Sequence, residues 1–307
     1  MKKVLVLMAT YNGELWVGEQ ISSLVNQVGV EVSLLVSDDC STDRTLEIVR
    51  SFERALPISI LPNESRFGAA AKNFFSLMSR ANLDGFDYVA FCDQDDIWNS
   101  GKLERAVDVL ESGRYEGYSA GVEAFWADGR TRTLRQNPKA RLYDFLYEGA
   151  GQGCTFVVSK SLMDEFREHI DLSASVISNV HYHDWLLYSF CRVKGKAWCI
   201  DDYVSMRYRQ HSSNDTGAKL SLAGVKRRFS LIRDGWYARQ VDSIFLFVEQ
   251  VSGGARGDVS TLRELRESAQ ESLLAKTRYC ILLMNRGRRS LLDRLFLVLL
   301  LLSGAKV

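Results

Sequence analysis

The chain lacks paired cysteines, a membrane-length apolar run, internal repeats and any net surplus of one charge. Each absence removes a class of function. Its six cysteines are Cys40, Cys92, Cys154, Cys191, Cys199 and Cys280, and none forms a C-x-x-C pair. Zinc-ligand spacing is therefore missing, and buried free thiols in a reducing compartment are expected. The apolar run Leu295 to Leu302 falls far short of the ~20 residues that span a bilayer. Lys2-Lys3 and a short apolar stretch mimic a signal peptide, but the stretch ends at Thr10-Tyr11-Asn12 with no cleavage site, so a cytoplasmic location is expected. The net charge of +1 conceals an asymmetry: residues 1–215 hold 23 Lys/Arg against 30 Asp/Glu, and residues 216–307 hold 16 against 8. An acidic front half weighs against a nucleic-acid groove there, which would need clustered Lys and Arg.

What remains is an ordinary globular composition, 46% hydrophobic and 25% charged over 307 residues, enough for one large domain or a domain and a half. Short apolar runs alternate with helical spacing. Val4–Ala9, Val32–Val36, Pro57–Leu61 and Tyr88–Cys92 read as buried strands, separated by helical stretches over Glu14–Val28, about Asp43–Ala55 and Ala69–Ala81. That β-α-β-α order predicts an α/β fold with a mostly parallel central sheet flanked by helices. Ser41 or Thr42 is the expected cap of the second helix. Lys102–Leu110 reads as a further helix, followed by a less regular stretch to Asn137 and a glycine-rich bend, Gly149–Gly153, before a strand at Thr155–Val158. Asp184–Val193 reads as a helix, and Ala197–Ile200 and Val204–Tyr208 as two strands. The turn residues Ser212–Gly217 mark a boundary, giving a domain over 1–215 and a helical, basic extension over 216–307.

Two carboxylate clusters carry the chemistry. Asp38-Asp39-Cys40-Ser41-Thr42-Asp43 follows one strand and Asp93-Gln94-Asp95-Asp96 follows another. Open α/β sheets bind ligands at the carboxyl ends of their strands. Like charges crowded there call for a compensating cation, and a divalent metal carrying a diphosphate is the natural one. Either cluster alone would also suit a helix cap or a solvated turn; together they indicate a nucleotide-sugar site.

The motifs Ala9-Thr10-Tyr11-Asn12-Gly13, Asp38–Asp43 and Asp93-Gln94-Asp95-Asp96-Ile97-Trp98 resemble, in that order, the family 2 glycosyltransferases of GT-A fold. Asn63–Gly68 with Asn73-Phe74 continues the likeness. His183-Asp184-Trp185 and Arg207–Asn214 are similar to its rhamnosyltransferase-like branch. The resemblance implies an inverting transferase that moves a sugar, L-rhamnose from dTDP-L-rhamnose in that branch, to a surface-polysaccharide acceptor on a lipid carrier. Thr10, Tyr11, Asn12 and Asp39 would line the nucleotide pocket, with Asp93 near the ribose. Asp95 would hold Mg2+ or Mn2+, joined by His211, and Asp184 would be the catalytic base. Asp96, Trp98, Gly153, Cys154, His183, Trp185 and Arg209 would lie near the sugars. Asn99-Ser100-Gly101 departs from the pattern, since relatives often carry proline after the tryptophan.

The residues themselves leave choices open. Asp184 suits a helix N-cap as well as a base, and His211 suits a structural role as well as a ligand. Rival functions are a UDP-hexose transferase, a nucleotidyltransferase and a non-catalytic nucleotide-sugar-binding protein; the second would need a glycine-rich basic loop, which Ala9–Gly13 is not. The tail's apolar segment, flanked by Arg286, Arg288, Arg289 and Arg294, suits a buried helix, an oligomer contact or a helix resting on the inner face of the cytoplasmic membrane.

Overall fold

The structure, a computed structural model, describes residues 1–136, 139–172, 174–211, 235–253 and 257–307. Strands β1 (Lys2–Thr10), β2 (Val30–Asp38), β3 (Ile58–Leu61) and β4 (Tyr88–Cys92) run parallel in the spatial order β3-β2-β1-β4. Helices α1 (Val17–Val25), α2 (Thr45–Ser51) and α3 (Ala70–Arg80) make the crossovers. Strand alternation divides the side chains between two cores. Leu5, Leu7, Val89 and Phe91 meet Phe74 and Leu77 of α3. Val4, Val6, Met8 and Ala90 meet Val17, Ile21 and Leu24 of α1. Register places Thr10 opposite Asp38 and Met8 opposite Cys92, so three strand ends open onto one edge.

Beyond β4 the sheet becomes mixed. β5 (Ile97–Trp98) and helix α4 (Lys102–Glu111) lead into β6 (Gly117–Trp126) and β7 (Thr131–Leu134), then β8 (Val157–Ser159) and β9 (Trp198–Gln210). β8 is antiparallel to β4 and β6, and β6 pairs in parallel with β9. The sheet is therefore all-parallel across β3-β2-β1-β4 and mixed beyond, rather than mostly parallel throughout. The stretch expected to be irregular contains β6 and β7. The two strands expected at 197–208 are one strand, whose pairing with β6 shifts register twice between Ser119 and Glu123. A 3-10 turn, Gly153–Thr155, precedes β8.

Helices α5 (Lys160–Leu172), α6 (Ala174–Ile177) and α7 (His183–Val193) follow β8, and α8 (Trp236–Ser252), α9 (Gly257–Ser268), α10 (Leu273–Arg286) and α11 (Leu291–Leu302) form the tail. Phe245 and Val248 of α8, Leu283 of α10 and Leu297 and Leu301 of α11 lie in the same core as Phe74, Phe166 and Leu186. The expected boundary at Ser212–Gly217 lies outside the described residues. Among the described residues, no helix is long and apolar enough to cross a membrane.

The basic flanks of the last helix do not face outward as a group. Arg289 is 3% exposed and its guanidinium bonds Asp144 Oδ2 at 3.2 Å and the Gly149 carbonyl at 2.6 Å. Arg288 bonds Glu148, and Arg294 is buried against the Ser290 and Met284 carbonyls. Asp144 and Glu148 draw Arg288 and Arg289 inward. The cysteines are free, as expected, but only Cys92, Cys154 and Cys191 are buried; Cys199 and Cys280 are half-buried and Cys40 is exposed.

Candidate active site

At the ends of β1 and β2 the side chains organise one another. Asp38 Oδ1 accepts from the Thr10 hydroxyl at 2.7 Å, and its Oδ2 accepts from the Ser41 N–H at 2.7 Å. Asn12, with φ 44°, takes a left-handed conformation that asparagine tolerates; its Oδ1 accepts from the Thr42 N–H at 2.9 Å. Asp43, not Ser41 or Thr42, serves the helix start: its Oδ1 accepts from the Thr45 N–H at 3.0 Å. Asp39 is 4% exposed, and its carboxylate accepts from the N–H groups of Phe67 and Gly68. Arg66 lies 3.6 Å from Asp39 Oδ2, and its guanidinium stacks 3.8 Å over the Tyr11 ring. The Asn63–Gly68 turn is thereby tied down onto the β1–β2 edge.

The second acidic cluster is joined to the first through Gln94. Its amide takes the Tyr11 N–H at 2.9 Å and donates to the Tyr11 carbonyl at 3.0 Å. Gly13 makes room: a Cβ there would stand 2.3 Å from Gln94 Oε1. The two-residue β5, directly after Asp96, pairs Ile97 with Arg207 and Trp98 with Met206. That short pairing brings the end of β9 to the acidic loop. Asp96 Oδ1 accepts from the Arg209 N–H at 2.9 Å, and Arg209 Nε donates to the Asp95 carbonyl at 2.8 Å. His211 Nε2 meets Asp95 Oδ2 at 2.6 Å while its ring stacks on Trp16 at 4.0 Å. Asp96 is fully buried, and its Oδ2 has no hydrogen-bond partner among the described residues. Burial, then the Asp95 and Asp93 charges, push its pKa well above the usual carboxylate range. Ligand atoms of Asp93, Asp96 and Cys154 lie within 4.8 Å of one another.

The 3-10 turn at 153–155 links this cluster to Asp184. Cys154 lies beside Asp96, and Gly153 packs on Asp184 so closely that a Cβ would meet its Oδ2 at 3.0 Å. Asp184 is the second residue of α7 and accepts from the Trp185 N–H at 2.7 Å. It does not cap the helix. Burial raises its pKa to about 6, against the lowering effect of the Trp185 hydrogen bond. His183 stacks on Phe74 at 4.1 Å, and burial lowers its pKa to about 3, so the imidazole beside Asp184 is neutral.

Residues 5–166 match the family model described as Glycosyl transferase family 2. The chain is 40% identical over 239 residues to the dTDP-rhamnosyl transferase RfbG of Shigella flexneri, covering 77% of this chain and 83% of that protein. The chain is a family 2 glycosyltransferase. It is also 27% identical to the Escherichia coli protein named UDP-Glc:alpha-D-GlcNAc-diphosphoundecaprenol beta-1,3-glucosyltransferase WfgD, over 75% of this chain and 85% of that one. Among solved structures, S. aureus TarS with UDP-GlcNAc aligns at a TM-score of 0.55 and 18% identity, covering 82% of each chain. The Pyrobaculum calidifontis mannosyltransferase PcManGT, solved with GDP-Man and Mn2+, aligns at 0.51 and 15% identity, covering 96% of this chain and 86% of that one. These likenesses establish the GT-A fold expected from the motifs.

Within the glycosyltransferase, Asp93, Asp95, Asp96, Arg209 and His211 gather at one strand edge, with Cys154, Gly153 and Asp184 adjoining. Trp98 and Trp185, expected near the sugars, are 3% and 6% exposed and belong to the two cores. Trp98 lies under the Lys102 ammonium, and Trp185 Nε1 donates to the Phe145 carbonyl at 2.8 Å. Their large rings favour burial, and motif position does not reveal which way they turn. Sequence reasoning missed Gln94, Arg66, Trp16 and Lys102. Lys102 alone left a signal: a lysine opening a helix runs against the helix dipole.

Proposed function

We propose that this glycosyltransferase moves L-rhamnose from dTDP-L-rhamnose to a hydroxyl of a bacterial surface-glycan acceptor, with inversion at the anomeric carbon. The relative named a dTDP-rhamnosyl transferase, 40% identical over most of both chains, supports the donor. The observation that carries the chemistry is Asp184: a half-buried carboxylate with its pKa raised to about 6, packed on the Gly153 that precedes Cys154 beside the acidic cluster. A base with a pKa near the working pH is ionised yet still basic enough to remove a hydroxyl proton. Asp184 takes that proton as the acceptor oxygen bonds to the anomeric carbon; the bond from that carbon to the diphosphate oxygen breaks, and dTDP leaves. Thr10, Tyr11, Asn12 and Asp39 would hold the nucleoside, with Asp93 at the ribose.

The residues fit a divalent metal. Ligand atoms of Asp93 and Asp96 lie within 4.8 Å of one another, Asp95 with His211 adjoins them, and these carboxylates and imidazole suit Mg2+ or Mn2+. A cation there would relieve the like-charge crowding that raises the Asp96 pKa. Cys154 fits less well, because burial raises its thiol pKa well above the ordinary value. Asp95 and His211 would hold the metal, which when bound neutralises charge gathering on the leaving diphosphate.

The acceptor is proposed to be lipid-linked, as the name of the undecaprenol-dependent relative supports. The tail would then rest on an anionic membrane surface through the outer face of α11, where Leu291, Leu292, Leu295, Leu299 and Leu302 are exposed. Nucleotide release, measured with dTDP-L-rhamnose, UDP-glucose and GDP-mannose in Mn2+, tests the donor. Turnover should be confined to the dTDP sugar; faster turnover of UDP-glucose would transfer the assignment to a UDP-hexose and leave the family unchanged.

A further inference from the structure

Lys102 is fully buried at the first turn of α4. The helix dipole disfavours a cation there, and an ammonium removed from water needs strong compensation. Its Nζ donates to the Cys154 carbonyl at 2.7 Å and stands 2.9 Å above the Trp98 ring. Burial lowers its pKa to about 7, against the smaller opposing pull of Cys92, Cys154, Asp96 and Asp93. Cys154 is the middle residue of the turn whose Gly153 packs on Asp184, a Cβ at Gly153 standing 3.0 Å from its Oδ2. A continuous set of contacts therefore runs from Lys102 Nζ through the Cys154 carbonyl and the Gly153 backbone to the Asp184 carboxylate.

We infer that Lys102 is a positioning residue for the transfer, fixing the Gly153–Thr155 turn and thereby the attack geometry of Asp184. This rests on Asp184 being the base. Lys102 bonds the turn that packs on Asp184, whereas Thr10, Tyr11 and Asp39 stand at the β1–β2 edge, so its loss should act mainly on kcat, with any effect through Asp93 on donor binding the smaller one. A displacement of about 1 Å in a positioned group costs up to about 10²-fold in rate.

The test is a double-mutant cycle on the full chain. Lys102→Met keeps the side-chain length and removes the ammonium. Because the substitution leaves the buried Cys154 carbonyl without its donor, Tm should fall, and kcat is therefore read well below the melting range, where the variant is folded. In that variant kcat should fall about 10- to 100-fold with donor KM changed less than about twofold. In an Asp184→Asn background the same substitution should cost less than about twofold, because nothing remains to be positioned. An undiminished kcat in Lys102→Met, or an equal loss in both backgrounds, overturns the inference while leaving Asp184 as base. Wild-type kcat in Asp184→Asn alone overturns both. A loss of kcat that only tracks a lowered Tm assigns Lys102 to stability and also overturns it. If Lys102→Met does not fold, Lys102→Gln, which keeps an N–H donor, enters the same cycle; it should lose less, and nothing more in the Asp184→Asn background, and equal losses again overturn the inference.

Discussion

Burial holds Asp184 protonated to about pH 6, whereas in the unfolded chain it titrates near the usual carboxylate range. The native state thus binds the extra proton between those values. Its contribution to stability is complete below the unfolded pKa and is lost as pH rises through about 6. Asp184→Asn should accordingly have a higher Tm than wild type at pH 8 and lose that advantage below about pH 4, read by thermal melts across pH. The same substitution should lower kcat by roughly 10²–10⁴ with little change in donor KM. Wild-type kcat should carry an acidic limb near pH 6, and a flat profile from pH 5 to 8 would remove the base assignment. Asp95 permits a separate measurement. Its Oδ2 meets His211, so Asp95→Ala should both weaken Mn2+ binding by calorimetry and nearly abolish turnover. Unchanged Mn2+ affinity would move the metal to Asp93 and Asp96.

Strands β1, β2 and β4 and helices α3 and α4 were legible because each is a continuous apolar run or a helical repeat. β6 was not. Its inward residues Tyr118, Ala120, Val122 and Ala124 alternate with Ser119, Gly121 and Glu123, and small residues give a weak strand signal. The site divides in the same way. Asp93, Asp95 and Asp184 stand in local motifs, so sequence finds them. The stacking of His211 on Trp16 and the Asp95–His211 contact depend on β5 pairing with β9, a long-range event with no local signature. The buried network around Asp144 is equally silent in sequence. Asp144 lies in a 3-10 turn, fully buried, with Arg192 at 2.7 Å, the Tyr188 hydroxyl at 3.0 Å and Arg289 at 3.2 Å. It joins α7, which carries Asp184, to the segment between α10 and α11. Removing its carboxylate takes the shared counter-charge from the buried Arg289 and the half-buried Arg192, which keep only Glu148 and carbonyl or hydroxyl partners, so Asp144→Ala should destabilise the protein by about 3 kcal/mol. Urea unfolding measures this, and a loss below about 1 kcal/mol would mean that the ions contribute no more than a surface pair.

Across the whole molecule, charge and apolar surface are distributed in a way that the flanking arginines alone do not convey. The tail holds 16 Lys/Arg against 8 Asp/Glu, yet Arg288, Arg289 and Arg294 are engaged with Glu148, Asp144 and backbone carbonyls. What α11 presents outward is leucine: Leu292 is 77% exposed and Leu299 63%, on the face opposite the buried Leu297 and Leu301. Exposed basic residues nearby, Arg278 and Arg286, add to the attraction for anionic headgroups, each contributing about 1 kcal/mol near such a surface. Membrane binding should therefore rest mainly on the leucine face and only partly on charge. Screening reaches about 8 Å at physiological ionic strength, so raised salt should weaken vesicle binding without abolishing it. In flotation with vesicles containing anionic lipid, the intact chain should float, and a Leu292→Glu/Leu299→Glu variant should stay at the bottom. Both positions are exposed, so the variant should keep its Tm and its turnover of a water-soluble acceptor. If the intact chain ignores vesicles, and the same substitutions convert a dimer to a monomer in sedimentation, the leucine face is a contact between copies.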